Sequence, residues 1–238
     1  RMSQHILERL LNIMECEFLF PTPVWHGDID LQIEGLLDFA QSQREVRGDR
    51  RIVDALTQMD GGSYESKYLN ADDYRGHSCP VGDMIDQVET KAKECYYDMA
   101  PFNSHVEMDN FWFVFTPPGD KISVHTHPGV VFGGATYIQV PEGDCGSLSV
   151  RRNLLETHLY KSMGSYSTGS KGDTPCTWGS YTYPPMVNKL ILFPGWVPHD
   201  VSTNNTDEER ISLAFNLIVK RGLDPKATTM WIDGNAHE

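Results

Sequence analysis

The second half of the chain alternates short apolar runs with turn residues. Six such runs follow Pro101: NFWFVF, KISVHTH, ATYIQV, SLSVRR, KLILF and RISLAFNLIV. Gly, Pro and Asn separate them, which is typical of an antiparallel β sandwich or barrel. The pattern therefore predicts a mainly β core over about residues 101–222.

The first hundred residues show helical periodicity instead. Apolar positions recur at helical spacing in residues 3–14, from about Asp30 onward, and over about residues 83–99. We expect a helical support region over about residues 1–100, flanking the β core. With a C-terminal tail at 223–238, these parts form a single domain over residues 1–238, because a chain of this length buries one substantial core.

Two segments show no clear period. Residues 46–80 are polar and rich in Gly, Asp and Tyr, and residues 161–186 are rich in Gly, Ser, Thr and Tyr. A long irregular loop inside a compact domain is often functional. The 161–186 segment is therefore interpreted as a loop, either a lid over a site or a surface insertion.

Composition narrows the class of partner. The formal net charge of −13 argues against nucleic acid, because phosphates would be repelled. No apolar run approaches the ~20 residues that span a bilayer, so no membrane partner is expected. Five cysteines without a CxxC pair indicate reduced thiols, and we expect a cytoplasmic protein.

Three histidines are candidates for a metal site. Strand alternation in KISVHTH places His125 and His127 on the same face, with Cα atoms about 6.6–6.8 Å apart. A third ligand must come from elsewhere, and His199 follows the apolar run KLILF and a Pro-Gly turn. Asp200, the next residue, is hypothesised to orient the His199 imidazole.

The last apolar run has two different faces. In RISLAFNLIV the odd positions are all apolar, whereas the even positions are Arg210, Ser212, Ala214 and Asn216. If the even face lined a dry cavity, Arg210 would need an anion, because a buried unpaired guanidinium is very costly. A diffusible dicarboxylate is one candidate for that anion.

The order HxH, distal His, then Arg-x-Ser resembles the iron(II)/2-oxoglutarate-dependent oxygenases. Within them it is similar to the putative 2-oxoglutarate-Fe(II) oxygenase family of marine phages and bacteria. The resemblance is carried by FPTPVW, HTHPGVVFGGATY, FPGWVPH and RISLAFN. It implies a double-stranded β-helix of the jelly-roll or cupin-like kind, mainly β with flanking helices.

The resemblance also implies a chemistry. Fe(II), 2-oxoglutarate and O2 would be used to hydroxylate an unactivated C–H bond, with release of succinate and CO2. The substrate would be a small molecule, an amino acid or a peptide, and the sequence leaves it open, together with the oligomeric state. No catalytic residue beyond the metal ligands is implied.

Matched by position, the resemblance assigns residues to two groups. His127 would occupy the position that usually holds the carboxylate of a two-His-one-carboxylate triad. The implied metal ligands are His125, His127 and His199, and the implied 2-oxoglutarate ligands are Arg210, Ser212 and Tyr137.

Several alternatives remain open at this point. His127 could be the first ligand with Gly129 in the carboxylate position, as in the related HxG halogenases. GDKISVHTH also has the spacing of a metal cupin, so a three-His dioxygenase or isomerase that does not use 2-oxoglutarate is possible. A three-His zinc hydrolase or hydratase and a non-enzymatic β sandwich are the remaining hypotheses.

Overall fold

The computed structural model describes residues 22–47, 50–53, 60–99, 105–152 and 179–220. The helix predicted at 3–14, most of the 161–186 loop and the 223–238 tail lie outside the described residues. The single domain over 1–238 therefore stays a prediction.

The described residues form two α-helices and twelve strands. They are α1 (Ile33–Arg47), α2 (Pro80–Met99), β1 (Trp25–Asp28), β2 (Arg50–Val53), β3 (Asp60–Glu65), β4 (Leu69–Asn70), β5 (His105–Thr116), β6 (Ile122–His125), β7 (Phe132–Gln139), β8 (Leu148–Arg151), β9 (Ser180–Tyr183), β10 (Lys189–Pro194), β11 (His199–Val201) and β12 (Arg210–Lys220).

Both helices lie where the periodicity predicts them. Helix α2 begins at Pro80, whose fixed φ suits the first helical position, and Asp83 in its first turn complements the helix dipole. Glu34 lies in the first turn of α1 and complements the dipole of that helix in the same way. Neither described helix is long and apolar enough to cross a membrane.

The strands form two antiparallel sheets. The larger has the order β1-β10-β7-β12-β5-β3-β2, with β4 also paired to β5, and the smaller has the order β6-β11-β8-β9. This arrangement confirms the predicted fold class, which is mainly β with flanking helices around a double-stranded β-helix core.

The main hydrophobic core lies between the larger sheet and the two helices. It includes Leu36 of α1, Met84 of α2, and Leu213 and Phe215 of β12. The odd positions of β12, which the sequence analysis identified as an apolar face, thus lie in this main core.

A second, smaller core lies between the two sheets. Its buried residues include Tyr137 of β7, Val150 of β8, Phe193 of β10 and Val201 of β11. Strands β7 and β10 belong to the larger sheet, and β8 and β11 belong to the smaller one. This inter-sheet core is therefore the interior of the β-helix.

The support region is not purely helical, which corrects the sequence prediction. Strands β1 to β4 lie within residues 1–100: β1 pairs with β10, and β3 and β4 pair with β5. The partner strands β5 and β10 lie later in the chain, so local periodicity does not reveal these pairings. Similarly, β9 pairs with β8 although it lies within the segment interpreted as a loop.

A buried carboxylate joins α2 to the larger sheet. Glu89 is only 5% exposed, and its Oε1 accepts hydrogen bonds from the Met108 N–H at 3.0 Å and from Arg75 Nε and Nη2 at 3.0 and 2.8 Å. Breaking a buried pair by removing one partner is costly, because the other group keeps its desolvation penalty.

We therefore expect Glu89→Ala to lower the free energy of unfolding by about 3 kcal/mol. Glu94→Ala is the matched control: Glu94 lies on the same helix in an exposed pair with Lys91, and should cost less than about 1 kcal/mol. Urea unfolding of both variants checks this expectation. Equal losses would show that the Glu89 network does not anchor α2.

Candidate metal centre

Three imidazoles converge at one end of the smaller sheet. Strands β6 and β11 are antiparallel, and His125 lies directly opposite His199 in their register. The two ring centroids are 4.2 Å apart, and the His127 ring lies 5.2 Å from His125 and 5.0 Å from His199. One ligand atom from each residue lies within 4.8 Å of the others.

A turn, rather than the strand, brings His127 into this cluster. Strand β6 ends at His125, earlier than the sequence pattern predicts. The His127 N–H instead donates to the Gly195 carbonyl at 2.8 Å. A Cβ at residue 195 would lie 2.7 Å from the His127 oxygen and 2.6 Å from the Val130 oxygen, so only glycine permits this approach.

Each ring has its Nδ1 engaged with an acceptor. His125 Nδ1 faces the Ser123 carbonyl at 2.9 Å, and His199 Nδ1 faces the Val197 carbonyl at 2.9 Å. His127 Nδ1 faces Asn216 Oδ1 at 2.5 Å. A neutral imidazole bonded to an acceptor at Nδ1 carries its proton there, which leaves the Nε2 lone pair free for a metal.

The residues present fit a metal ion. His127 Nε2 is buried and has no hydrogen-bond partner among the described residues, and a buried unsatisfied polar atom requires an explanation. Three neutral imidazoles that meet with their Nε2 atoms free are suitable donors for a divalent transition metal.

Burial keeps these histidines neutral. Desolvation lowers the pKa of all three, and repulsion from His125 adds to this at His127 and at His199, whose pKa is lowered to about 3. His125 keeps an exposed edge, whereas His127 is 9% and His199 4% exposed. The cluster is therefore ready to bind a cation at neutral pH without first losing protons.

The guanidinium of Arg210 is fully buried and lacks one partner. Nη1 donates to the carbonyls of Cys145 and Gly146, both at 2.9 Å, and Nη2 donates to Thr116 Oγ1 at 2.9 Å. Nε is buried, and the part of the chain that the structure describes offers it no hydrogen-bond partner. None of these three acceptors is a carboxylate, so the charge of Arg210 is not compensated by them.

The inter-sheet core connects the two groups. Arg210 Cζ lies 5.9 Å from the centroid of the Tyr137 ring, and Ser212 lies opposite Tyr137 in the register of β12 and β7. Phe193 belongs to the same core, and its ring lies 4.3 Å from His199. Burial raises the pKa of Tyr137 to about 12, so its hydroxyl remains protonated.

The predicted role of Asp200 is wrong. Its Oδ1 and Oδ2 accept from Arg151 Nε and Nη2 at 2.5 and 2.8 Å, and His199 Nδ1 faces a backbone carbonyl instead. Successive side chains of a strand point to opposite sides. Asp200 therefore faces away from the cluster that contains His199.

Sequence reasoning missed three residues that support the site. Asn216 faces His127, Thr116 faces Arg210, and the Trp112 ring stacks on His127 at 5.9 Å with an interplanar angle of 25°. Trp112 is 6% exposed, and its ring forms one wall of the metal cluster. The even face of β12 did contain Asn216, yet nothing in the pattern named its partner.

Similar folds are known among solved structures. A Pseudomonas putida prolyl-4-hydroxylase has 14% identity over 84% of this chain and 94% of its own, with a TM-score of 0.53. A Trichoplax adhaerens prolyl hydroxylase has 12% identity over 82% and 83%, with a TM-score of 0.55. A carbocyclase from nogalamycin biosynthesis has 10% identity over 87% and 85%, with a TM-score of 0.54. At such identities these similarities establish the fold.

The described β-helix brings three histidines together in an arrangement that can hold a metal ion. Residues 110–216 match the family described as "Putative 2OG-Fe(II) oxygenase". This match covers slightly under half of the chain and supports the iron(II)/2-oxoglutarate-dependent oxygenase superfamily, whose members use Fe(II), 2-oxoglutarate and O2. No curated protein sequence matches the chain.

The depressed histidine pKa values predict how the stability of the metal-free protein depends on pH. Below pH 6.5, the unfolded chain binds protons that the folded cluster does not, so stability falls as the pH is lowered toward about 3. We expect the loss in free energy of unfolding between about pH 7 and pH 5 to be larger in the wild type than in His199→Ala. Urea unfolding at both pH values measures it, and equal losses would contradict the assignment.

Proposed function

We propose that the protein is an Fe(II)- and 2-oxoglutarate-dependent oxygenase that hydroxylates an unactivated C–H bond. The substrate class is a small molecule, an amino acid or a peptide. The single observation that carries the proposal is that one β-helix interior borders both a cluster of three neutral histidines and a buried arginine with an unpaired Nε.

His125, His127 and His199 would hold the iron through their Nε2 atoms. The Nδ1 contacts fix the orientation of the three rings. When bound, iron and 2-oxoglutarate supply dioxygen activation: 2-oxoglutarate leaves as succinate and CO2, and one oxygen atom enters a C–H bond of the substrate.

Arg210 would bind the far carboxylate of 2-oxoglutarate. The unpaired Nε–H is a donor that a carboxylate oxygen can accept, and an arginine–carboxylate contact is strong and directional. Ser212 lies on β12 together with Arg210, and Tyr137 lies opposite Ser212 on the adjacent strand β7. Both residues would complete the pocket. The apolar residues of the inter-sheet core exclude water, which strengthens the ion pair.

Two observations favour the proposed three-histidine ligand set over the HxG alternative. Gly129 has a φ of +87°, a conformation that L side chains rarely adopt, so the backbone alone explains the glycine. His125 lies within the cluster rather than apart from it. Both points support His127 as the third ligand.

The buried Arg210 also favours a 2-oxoglutarate enzyme over a three-His cupin or a zinc hydrolase. Those activities use the histidines but have no role for a buried cation. A dicarboxylate co-substrate, in contrast, would neutralise the charge of Arg210.

Arg210→Ala should raise the concentration of 2-oxoglutarate required for half-maximal turnover by at least about 100-fold, since the far carboxylate loses its charged partner. Iron content should stay near that of the wild type, because Arg210 contacts none of the three rings. Arg44→Ala is the control: Arg44 pairs with Glu209 outside the inter-sheet core and should not change this requirement. Succinate release at varied 2-oxoglutarate measures both, and an unchanged requirement in Arg210→Ala would contradict the proposal.

The ligand set can be tested by metal binding alone. His125→Ala should weaken Fe(II) binding by more than the 10–100-fold typical of losing a group that only supports a ligand. His127→Asp should keep part of the affinity, since a carboxylate is the common ligand at that position. His105→Ala, at the exposed start of β5, is the control. Anaerobic titration with Fe(II) measures the affinities, and full affinity in His125→Ala would favour the HxG arrangement.

A further inference from the structure

The Arg210 guanidinium is oriented by the protein on two of its three nitrogens. Nη1 donates to two carbonyls, those of Cys145 and Gly146, and Nη2 donates to Thr116 Oγ1. A guanidinium is rigid and planar, so fixing Nη1 and Nη2 also fixes the direction of the Nε–H bond. The unpaired donor is therefore held in one direction before any ligand arrives.

The turn between β7 and β8 that supplies the two carbonyls is tied to the segment before β12. The Ser202 N–H donates to the Ser147 carbonyl at 3.0 Å, and the Ser147 N–H donates to Ser202 Oγ at 2.9 Å. The Asn205 N–H donates to the Asp144 carbonyl at 2.8 Å. These contacts hold the turn against the segment that leads from β11 into the strand that carries Arg210.

This turn also requires a glycine beside the guanidinium. Gly146 has a φ of +84°, and a Cβ there would lie 2.2 Å from the Ser202 oxygen and 3.0 Å from Arg210 Nη1. A side chain at residue 146 would therefore displace the turn, the guanidinium, or both.

We propose that Thr116 and Gly146 are positioning residues that set the co-substrate selectivity of the site. They aim Nε of Arg210 so that the site prefers a 2-oxo acid with a second carboxylate over one of equal length without it. The inference rests on the proposed function, because it assumes that Arg210 binds the far carboxylate.

Selectivity follows from the direction of the contact. A carboxylate gains most from arginine when the N–H bonds point at its oxygens, and the interaction weakens steeply as the angle worsens. A 2-oxo acid that ends in a methyl group makes no such contact. Its affinity should therefore not depend on the direction of Nε–H.

The test compares two ligands on the Fe(II)-loaded protein under nitrogen. Calorimetry measures the Kd of 2-oxoglutarate and of 2-oxopentanoate, which has the same chain length and a methyl group in place of the far carboxylate. The selectivity is the ratio of the second Kd to the first.

Four variants separate positioning from general damage. Thr116→Val has nearly the same shape but lacks the acceptor, and Thr116→Ser restores a hydroxyl. Gly146→Ala adds the clashing Cβ. Gly143→Ala is its matched control: Gly143 lies in the same turn with a φ of +100°, but its Cβ would meet only Thr206 Cγ2, at 3.5 Å.

We expect Thr116→Val and Gly146→Ala to lower the selectivity about tenfold, the size of one lost hydrogen bond to a charged group. The loss should arise from 2-oxoglutarate alone, with Fe(II) affinity retained. Thr116→Ser and Gly143→Ala should keep the wild-type ratio.

Two results would overturn the inference while leaving the proposed function intact: an unchanged ratio in both Thr116→Val and Gly146→Ala, or equal weakening of both ligands. A wild-type protein that binds the two ligands equally would overturn the role of Arg210 itself, and the inference with it.

Discussion

Strand β12 has two faces that cannot be exchanged, and the site depends on this difference. Its odd positions, among them Leu213 and Phe215, are buried in the main core, whereas Arg210 and Ser212 face the other side. A slip of one residue would move a guanidinium into the main core and the Phe215 ring toward the inter-sheet core. Pairing with β5 on one side and β7 on the other fixes the register against such a slip.

The same two-faced order continues in β5, which explains how supporting residues reach the site. Phe111, Phe113 and Phe115 pack in the main core, while Trp112 and Thr116 lie on the opposite face. Because Thr116 is the register partner of Arg210, its hydroxyl reaches Nη2. Trp112 stacks on His127 from the same face of β5. Two adjacent strands therefore supply contacts to both groups of the site.

The histidine cluster lowers the stability of the metal-free protein. His127 and His199 are buried, and His127 Nε2 has no partner within the described protein, which costs free energy that a bound cation would recover. Three neutral ligands leave a divalent ion one charge unit more positive than a set with a carboxylate. That difference changes the electrostatics of everything that binds beside the ion. The paired Asp200 faces away from His199 and does not replace the missing carboxylate as a ligand.

The sequence by itself determined the periodic part of the fold and named the residues of the candidate site. Alternation revealed the long strands and the two faces of β12, and the order of His125, His127, His199 and Arg210 gave the resemblance. Only the tertiary structure decided the short strands β1 to β4, β9 and β11, the turn at Gly195 that aims His127, and the pairing of Asn216 with His127. These features depend on contacts between segments far apart in the chain, and a single residue type carries no information about which distant partner it will meet.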